Sequence, residues 1–307
     1  MIKKAIFLFF SIVINSYSQK EVQLFLPETF VGLPNVRDFS MSNYKNEIYF
    51  TIESYRKEFS FIAFIKKENE GWSKPEVASF SGKFKDLEPF LSPDGLKLFF
   101  ASNRTQDSKS IKNDTDIWYV SRKTINDEWS EPIRIEGAIN TDSNEFYPCV
   151  TNAGDLFFTA EYKNTKGKED IYVSRFIAGK YTTPVSLDET INSEKYEFNA
   201  YVSPNEDLIV FTSYGRKEDL GNGDLYISKK LNGKWLPAQH MGSKINSKNI
   251  DYCPYIDTEK GILYFTSGRS EIPMCLDKKY TVDEFLAKIS LMPNGLSRIY
   301  TIPLNKN

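Results

Sequence analysis

The sequence predicts an all-β protein, a β-propeller of five four-stranded blades, and three observations lead there. A motif recurs along the chain, its clearest copies opening at Asp116, Asp170 and Asp224, 54 residues apart each time. Every copy contains short runs of Phe, Tyr, Ile and Val broken by Gly, Asn, Asp and Pro, the pattern of short antiparallel strands. The last copy also stops one strand early, and an apolar run near the N-terminus can complete it. A four-stranded unit of about 40 to 50 residues is the size of a propeller blade.

Four landmarks keep one phase. Strand-like runs end at Phe50, Phe100, Phe158, Phe211 and Phe265. DIWYVS, DIYVS and DLYIS form the second landmark, with degenerate copies FIAFI at 61–65 and RIYTI at 298–302. An aromatic followed by proline recurs at Trp72, Trp129, Tyr181 and Trp235. Ile139-Asn140, Ile191-Asn192 and Ile245-Asn246 complete the set, each with an acid five residues beyond the Asn. SPDG at 92–95, NAG at 152–154 and SPNED at 203–207 read as turns between the first two strands of a unit. Blades are expected at roughly 37–87, 88–144, 145–195, 196–250 and 251–303, closed by a strand at 21–26 that pairs with the C-terminal one. Six blades, one with its landmarks lost, is the alternative.

The ends and one insertion read separately. Lys3 and Lys4, an apolar run from Ala5 to Ile14 and Ser16-Tyr17-Ser18 have the order of a secretory signal cleaved near Ser18. That run is too short to span a membrane, which needs about 20 residues. A single domain over 19–307, periplasmic or secreted, is therefore expected. Between 270 and 295 an insertion breaks the period. Thr281 and Glu284 form a capping box there, and Phe285, Leu286 and Ile289 an apolar stripe, so a short helix should project from or plug one face near blade five.

Composition excludes several functions. Against 41 acidic residues stand 39 basic ones, a formal charge of −2 that offers nucleic acid no electrostatic surface. A single histidine, His240, has no evident partner, and neither a nucleophile elbow nor a Gly-rich phosphate loop occurs. Cys149, Cys253 and Cys275 are too few for a disulfide framework, and each is expected to fill a small apolar space.

LEPFLSPDGLKLFFASNR at 87–104 followed by DIWYVSR at 116–122 resembles the WD-like repeat of the TolB-like propeller family. Similar fragments carry the resemblance over roughly 37–303. It implies the propeller fold; for function it implies an exported binding or assembly component, or a propeller of the kind attached to peptidases. Departures stand at Ala200 in place of Pro, at Glu161-Tyr162-Lys163 in place of Ser-x-Arg, and at Arg37 in place of the acid.

The candidate site follows from the repeat. Asp86, Glu145, Glu197 and Asp251 begin the innermost strands, and Arg56, Arg104, Arg216 and Arg269 follow the second strands. One reading is a carboxylate ring at the channel mouth that binds a basic group or a structural cation. The other is that each carboxylate pairs with a neighbouring arginine or caps backbone amides, locking blade to blade. Repetition favours the lock, because ligand sites break symmetry. Asp116, Asp170 and Asp224 read as turn caps, and the recurring aromatics as packing between blades. The expected function is a monomeric, non-catalytic binding module with a protein or glycan partner at the propeller face, with no nucleic acid, membrane span or cofactor. A glycan-acting hydrolase using the channel-mouth carboxylates is the alternative.

Overall fold

Short strands joined by tight turns pair with their sequence neighbours, and in a computed structural model they do so five times over. The structure describes residues 21–44 and 46–304, so the expected signal at 1–18 lies outside it. Blade one consists of Asn35–Met41, Glu47–Glu53, Ser60–Glu68 and Glu76–Val77. Blade two is built from Asp86–Leu91, Lys97–Arg104, Ile111–Ser121 and Ile133–Arg134. Blade three has Glu145–Val150, Leu156–Ala160, Asp170–Ser174 and Val185–Ser186. In blade four these are Tyr196–Val202, Leu208–Tyr214, Asp224–Leu231 and Gln239–His240. Blade five joins Asp251–Asp257, Ile262–Ser267 and Arg298–Pro303 to Gln23–Leu24. The innermost strands thus open at Asn35 and Asp86, about two residues ahead of the boundaries read from the sequence.

The landmarks have structural causes. Phe50, Phe100, Phe158, Phe211 and Phe265, the ends of the second-strand motif, are all fully buried, so the spacing of the cores sets the spacing of the motif. The asparagine of each Ile-Asn pair stands in for a strand edge. Asn140 accepts a hydrogen bond from Ile117 N at 2.7 Å and donates to Ile117 O at 2.9 Å. Asn192 does the same with Ile171, and Asn246 with Leu225. One side chain satisfies the backbone N–H at the end of the short outer strand and shares the carbonyl with that strand's next residue, Ile135, Leu187 or Met241.

Every inner strand breaks register at the same place, between Arg37 and Ser40, Leu87 and Phe90, Phe146 and Cys149, Phe198 and Tyr201, and Tyr252 and Tyr255. Within each break one non-glycine residue adopts a left-handed backbone: Asp38 at φ 61°, Glu88 at 61°, Tyr147 at 51°, Asn199 at 52° and Cys253 at 52°. Such a conformation costs on the order of 1 kcal/mol or more per residue. Its recurrence in all five blades marks it as a designed bulge.

Termini meet in blade five. Gln23 pairs with Thr301 and Leu24 with Tyr300, and Phe25 N donates to Ile299 O at 2.9 Å. Phe25 then packs edge-on against Phe39 of blade one and Tyr264 of blade five, so the closing strand also seals a seam between blades. The insertion forms the helix Val282–Ser290 with the expected capping box at Thr281 and Glu284. None of its residues is buried, and Leu286 is exposed, so the helix neither plugs the ring nor packs an apolar stripe into it.

Closure by the N-terminal strand carries a testable consequence. A chain lacking residues 21–26 should unfold at lower temperature and aggregate on heating, because Arg298–Pro303 becomes a bare sheet edge. Thermal scans with light scattering would detect both effects.

Candidate functional site

The predicted acids lie in the seams of the ring, each held by residues of the segment leading in from the preceding blade and, in three of four, by an arginine of its own blade. Asp86 accepts from Arg104 Nη2 at 2.6 Å, Ser102 Oγ at 2.6 Å and Ser81 Oγ at 2.8 Å. Glu197 accepts from Arg216 Nη2 at 2.9 Å and Ser213 Oγ at 2.9 Å, and Asp251 from Arg269 Nη2 at 2.7 Å. The same arginines reach back to the carbonyls of Phe80, Ile191 and Ile245 and lie over the rings of Trp118, Tyr226 and Tyr300. The aromatic of the third-strand motif is therefore an arginine platform. Burial raises the Asp86 carboxyl above its ordinary range even with Arg104 opposing it.

Two blades depart from this latch, each for a visible reason. In blade one Val36, paired with Ile52, occupies the acid's place, so Arg37 is not its substitute but the next residue. Without a buried acid to meet, Arg56 is 88% exposed and pairs with Glu58 on the surface. In blade three Tyr162 replaces the arginine, and its hydroxyl donates to the Ile139 carbonyl as the arginines do elsewhere. A phenol cannot neutralise Glu145, which keeps only the hydrogen bonds from Thr141 N and Oγ1, the counterparts of those that Ser193 gives Glu197. Burial pushes Glu145 up to about 7.

The bulges, and not the acids, meet on the axis. Arg37 Nε donates to Asp38 at 2.8 Å, Nη2 donates to Glu88 Oε1 at 2.7 Å and to Cys253 Sγ at 3.4 Å, and the guanidinium lies 5.0 Å from the Tyr252 ring centre. Nη1 is 3.7 Å from Glu53. Glu88 also accepts from Tyr147 N at 2.8 Å and from Asn199 Nδ2 at 3.3 Å. Tyr147 Oη donates to Pro254 O at 3.1 Å. Glu88 to Asn199 joins blades two and four, and Tyr147 to Pro254 joins three and five, so these bonds cross the ring and fill its centre. Burial drives Glu88 up to about 8, against the pull of Arg37.

Above this plug lies a cleft of about 480 Å³. Arg37 and Glu88 form its floor, and Phe146, Phe198 and Tyr252, each the residue after an acid, form part of its rim. Tyr196, Tyr214 and Glu169 add a wall. No residue of 270–295 lines the cleft, so the insertion does not contribute to it. Sequence reading missed Glu88, Asp38 and Asn199. Their signal was the position two beyond each acid, where five blades carry five different residues.

The remaining expectations divide. Asp170 and Asp224 cap backbone amides of the preceding turns, Lys166 and Gly167 in one case and Leu220 and Gly221 in the other. Asp116 instead takes Arg134 at 2.7 Å and Lys112 at 2.9 Å. His240 does have partners: its Nε2 lies 2.7 Å from Asp224 and 2.9 Å from Asn246. Trp129 bridges blades through Tyr49 Oη at 3.0 Å. Cys149 fills core space, but Cys253 sits on the axis and Cys275 is exposed. Among the described residues no group of three or more His, Cys, Asp or Glu could hold a metal ion, and no helix is long and apolar enough to cross a membrane.

The two kinds of seam should separate by substitution. Glu197→Gln leaves Arg216 facing a neutral amide in a buried seam and should cost about 3 kcal/mol. Glu145→Gln should cost far less and should change pH dependence. The unfolded chain loses this proton near 4.5 and the folded chain near 7, so wild-type stability falls as pH rises across that window. The variant lacks that fall and should gain on the wild type between pH 5 and 8, measured by urea unfolding.

No protein-family model matches the chain, and no curated protein matches it. Solved structures resemble it. A TolB from Agrobacterium tumefaciens is 13% identical with a TM-score of 0.52, the match covering 93% of this chain and 98% of that one. TolB from Acinetobacter baumannii is 12% identical with a TM-score of 0.50 over 87% of this chain, which spans only 54% of that protein. The catalytic domain of a Coprinopsis cinerea GH62 α-L-arabinofuranosidase is 10% identical with a TM-score of 0.50, over 88% and 91% of the two chains. At such identities the likeness is one of fold alone: the chain is a five-bladed propeller, similar in fold to TolB and to the GH62 domain.

Proposed function

We propose that this chain is an exported, non-catalytic binding module whose ligand seats in the channel-mouth cleft. The observation that carries the reading is where the charged groups are spent. Three of the four seam acids are consumed by arginines of their own blades, and the axis is filled by side chains bonded across it. What is left open is a rigid cleft with aromatic rings on its rim and a charged floor, a composition suited to holding a ligand. Export rests on the signal-like residues 1–18 and keeps the module in the periplasm or outside the cell. The partner is a protein or a glycan, and no cofactor takes part.

The hydrolase reading retains one observation, the buried Glu88 at the foot of the cleft beside Asp38, its carboxyl raised by burial. A double variant, Phe198→Ala with Tyr214→Ala, tests the binding reading. Both side chains reach the cleft and neither is fully buried, so the fold should survive with little change in melting temperature. Affinity electrophoresis and calorimetry against exported polysaccharides and peptides should find a ligand for the wild type and at least tenfold weaker binding for the variant. Unchanged binding would place the site elsewhere. Reducing-end release from arabinose-bearing polysaccharides, lost in Glu88→Gln, would establish the hydrolase instead.

A further inference from the structure

We propose that the channel-mouth cleft takes an organic cation, a quaternary or protonated ammonium group seated among the rim aromatics above the axial carboxylates. This rests on the reading of the cleft as a binding site and names the chemistry of its ligand. The charge count is the first reason. In the axial cluster the Arg37 guanidinium faces three carboxylates, those of Asp38, Glu53 and Glu88. Glu53 is 2% exposed, and its Oε2 has no hydrogen-bond partner. A surplus of buried negative charge is costly, and an arriving cation relieves it.

The walls are the second reason. Glu169, half-buried at the cleft, meets no cation among the described residues, while Glu161 and burial together hold its carboxyl up at about 7. Rings elsewhere in this protein carry cations on their faces: Arg122 lies 4.3 Å from the Trp129 centre, Arg216 4.7 Å from Tyr226 and Arg269 4.8 Å from Tyr300. At the mouth, Tyr252 carries Arg37. Phe146, Phe198, Tyr196 and Tyr214 carry none among the described residues, and all four line the cleft. Tyr196 and Tyr214 are cross-strand partners, tilted against each other with centres 5.7 Å apart, and together make one aromatic wall. Of the carboxyl groups, Glu88 and Glu169 line the cleft, and Asp38 and Glu53 lie behind Arg37; aromatic faces beside carboxyl groups are the chemistry that recognises alkylammonium groups, by ring quadrupole and by charge. Arg37 and Lys57 oppose this from the lining, but Arg37 is already paired with Asp38 and Glu88, and Lys57 is solvent-exposed, where water and salt screen it.

The probe is choline, set against its neutral isostere 3,3-dimethyl-1-butanol, titrated into the full chain by calorimetry and by NMR shift mapping. Choline should bind at least about tenfold more tightly than the alcohol. Glu169→Gln and Tyr214→Leu, both at accessible positions, should each weaken choline about three- to tenfold while leaving the melting temperature within a few degrees. Equal binding of the two probes, or choline binding unmoved by both substitutions, overturns the proposal. If choline fails while a neutral saccharide or peptide binds and is lost in the Phe198→Ala, Tyr214→Ala variant, the cation is wrong and the binding site stands. If nothing binds at the cleft, both readings fall.

Discussion

The buried ion pair between Arg37 and Glu88 is the constraint on which the rest of the ring depends. Arg37 belongs to blade one and touches Cys253 and Tyr252 of blade five; Glu88 belongs to blade two and accepts hydrogen bonds from blades three and four. All five blades are therefore tied through two side chains. A charge buried in this way costs several kcal/mol unless it is paired and its remaining hydrogen bonds are met. Glu88 meets them through Tyr147 N and Asn199. The strained backbone at each bulge is what brings these groups to the axis. With the centre filled, no through-channel remains for a ligand to enter. The open space is displaced to the mouth, where the rim aromatics stand.

Symmetric and asymmetric positions divide the work. Acid, serine, arginine and aromatic recur from blade to blade and hold the seams, so their chemistry is consumed in structure. The bulge residue differs in every blade, and with its predecessor it builds the plug and the cleft. Blade three shows how separable the parts of a latch are. Tyr162 keeps the bond to the Ile139 carbonyl and the ring contact with Tyr172, 4.8 Å between centres, yet supplies no charge. Glu145 then keeps its proton up to about 7, and the seam holds by neutral hydrogen bonding.

Much of the fold was legible because its signals are local and repeated. Phe100 and Phe158 mark a buried second strand, Asn140 and Asn192 mark the strand edge they complete, and the missing last strand pointed to the N-terminal run. The candidate site was legible only in part. The recurrence of acids and arginines at one spacing showed that they could pair, but the partners, Asp86 with Arg104, Glu197 with Arg216 and Asp251 with Arg269, came from the structure. Arg56 was grouped with them because it follows the second strand, but without an acid at Val36 nothing draws it inward. Arg37 was read one position out of place, since the register break that follows it leaves no trace in an ungapped comparison of repeats. His240 lacked a partner in the linear chain because Asp224 reaches it only across two paired strands, through the pairing of Tyr226 with His240.

By itself the sequence pointed to a five-bladed ring and its closure by the terminal strands, and offered the pairing of acid with arginine as one of two readings. These follow from hydrophobic periodicity and from contacts repeated at one spacing, which a linear chain displays directly. Only the tertiary structure decided that Asp38, Glu88, Tyr147, Asn199 and Cys253 meet on one axis, that Arg37 ties them and that the aromatics after the acids rim a cleft. Residues 51 to 216 positions apart come together there because a bulge turns each side chain inward and ring closure brings the last blade beside the first.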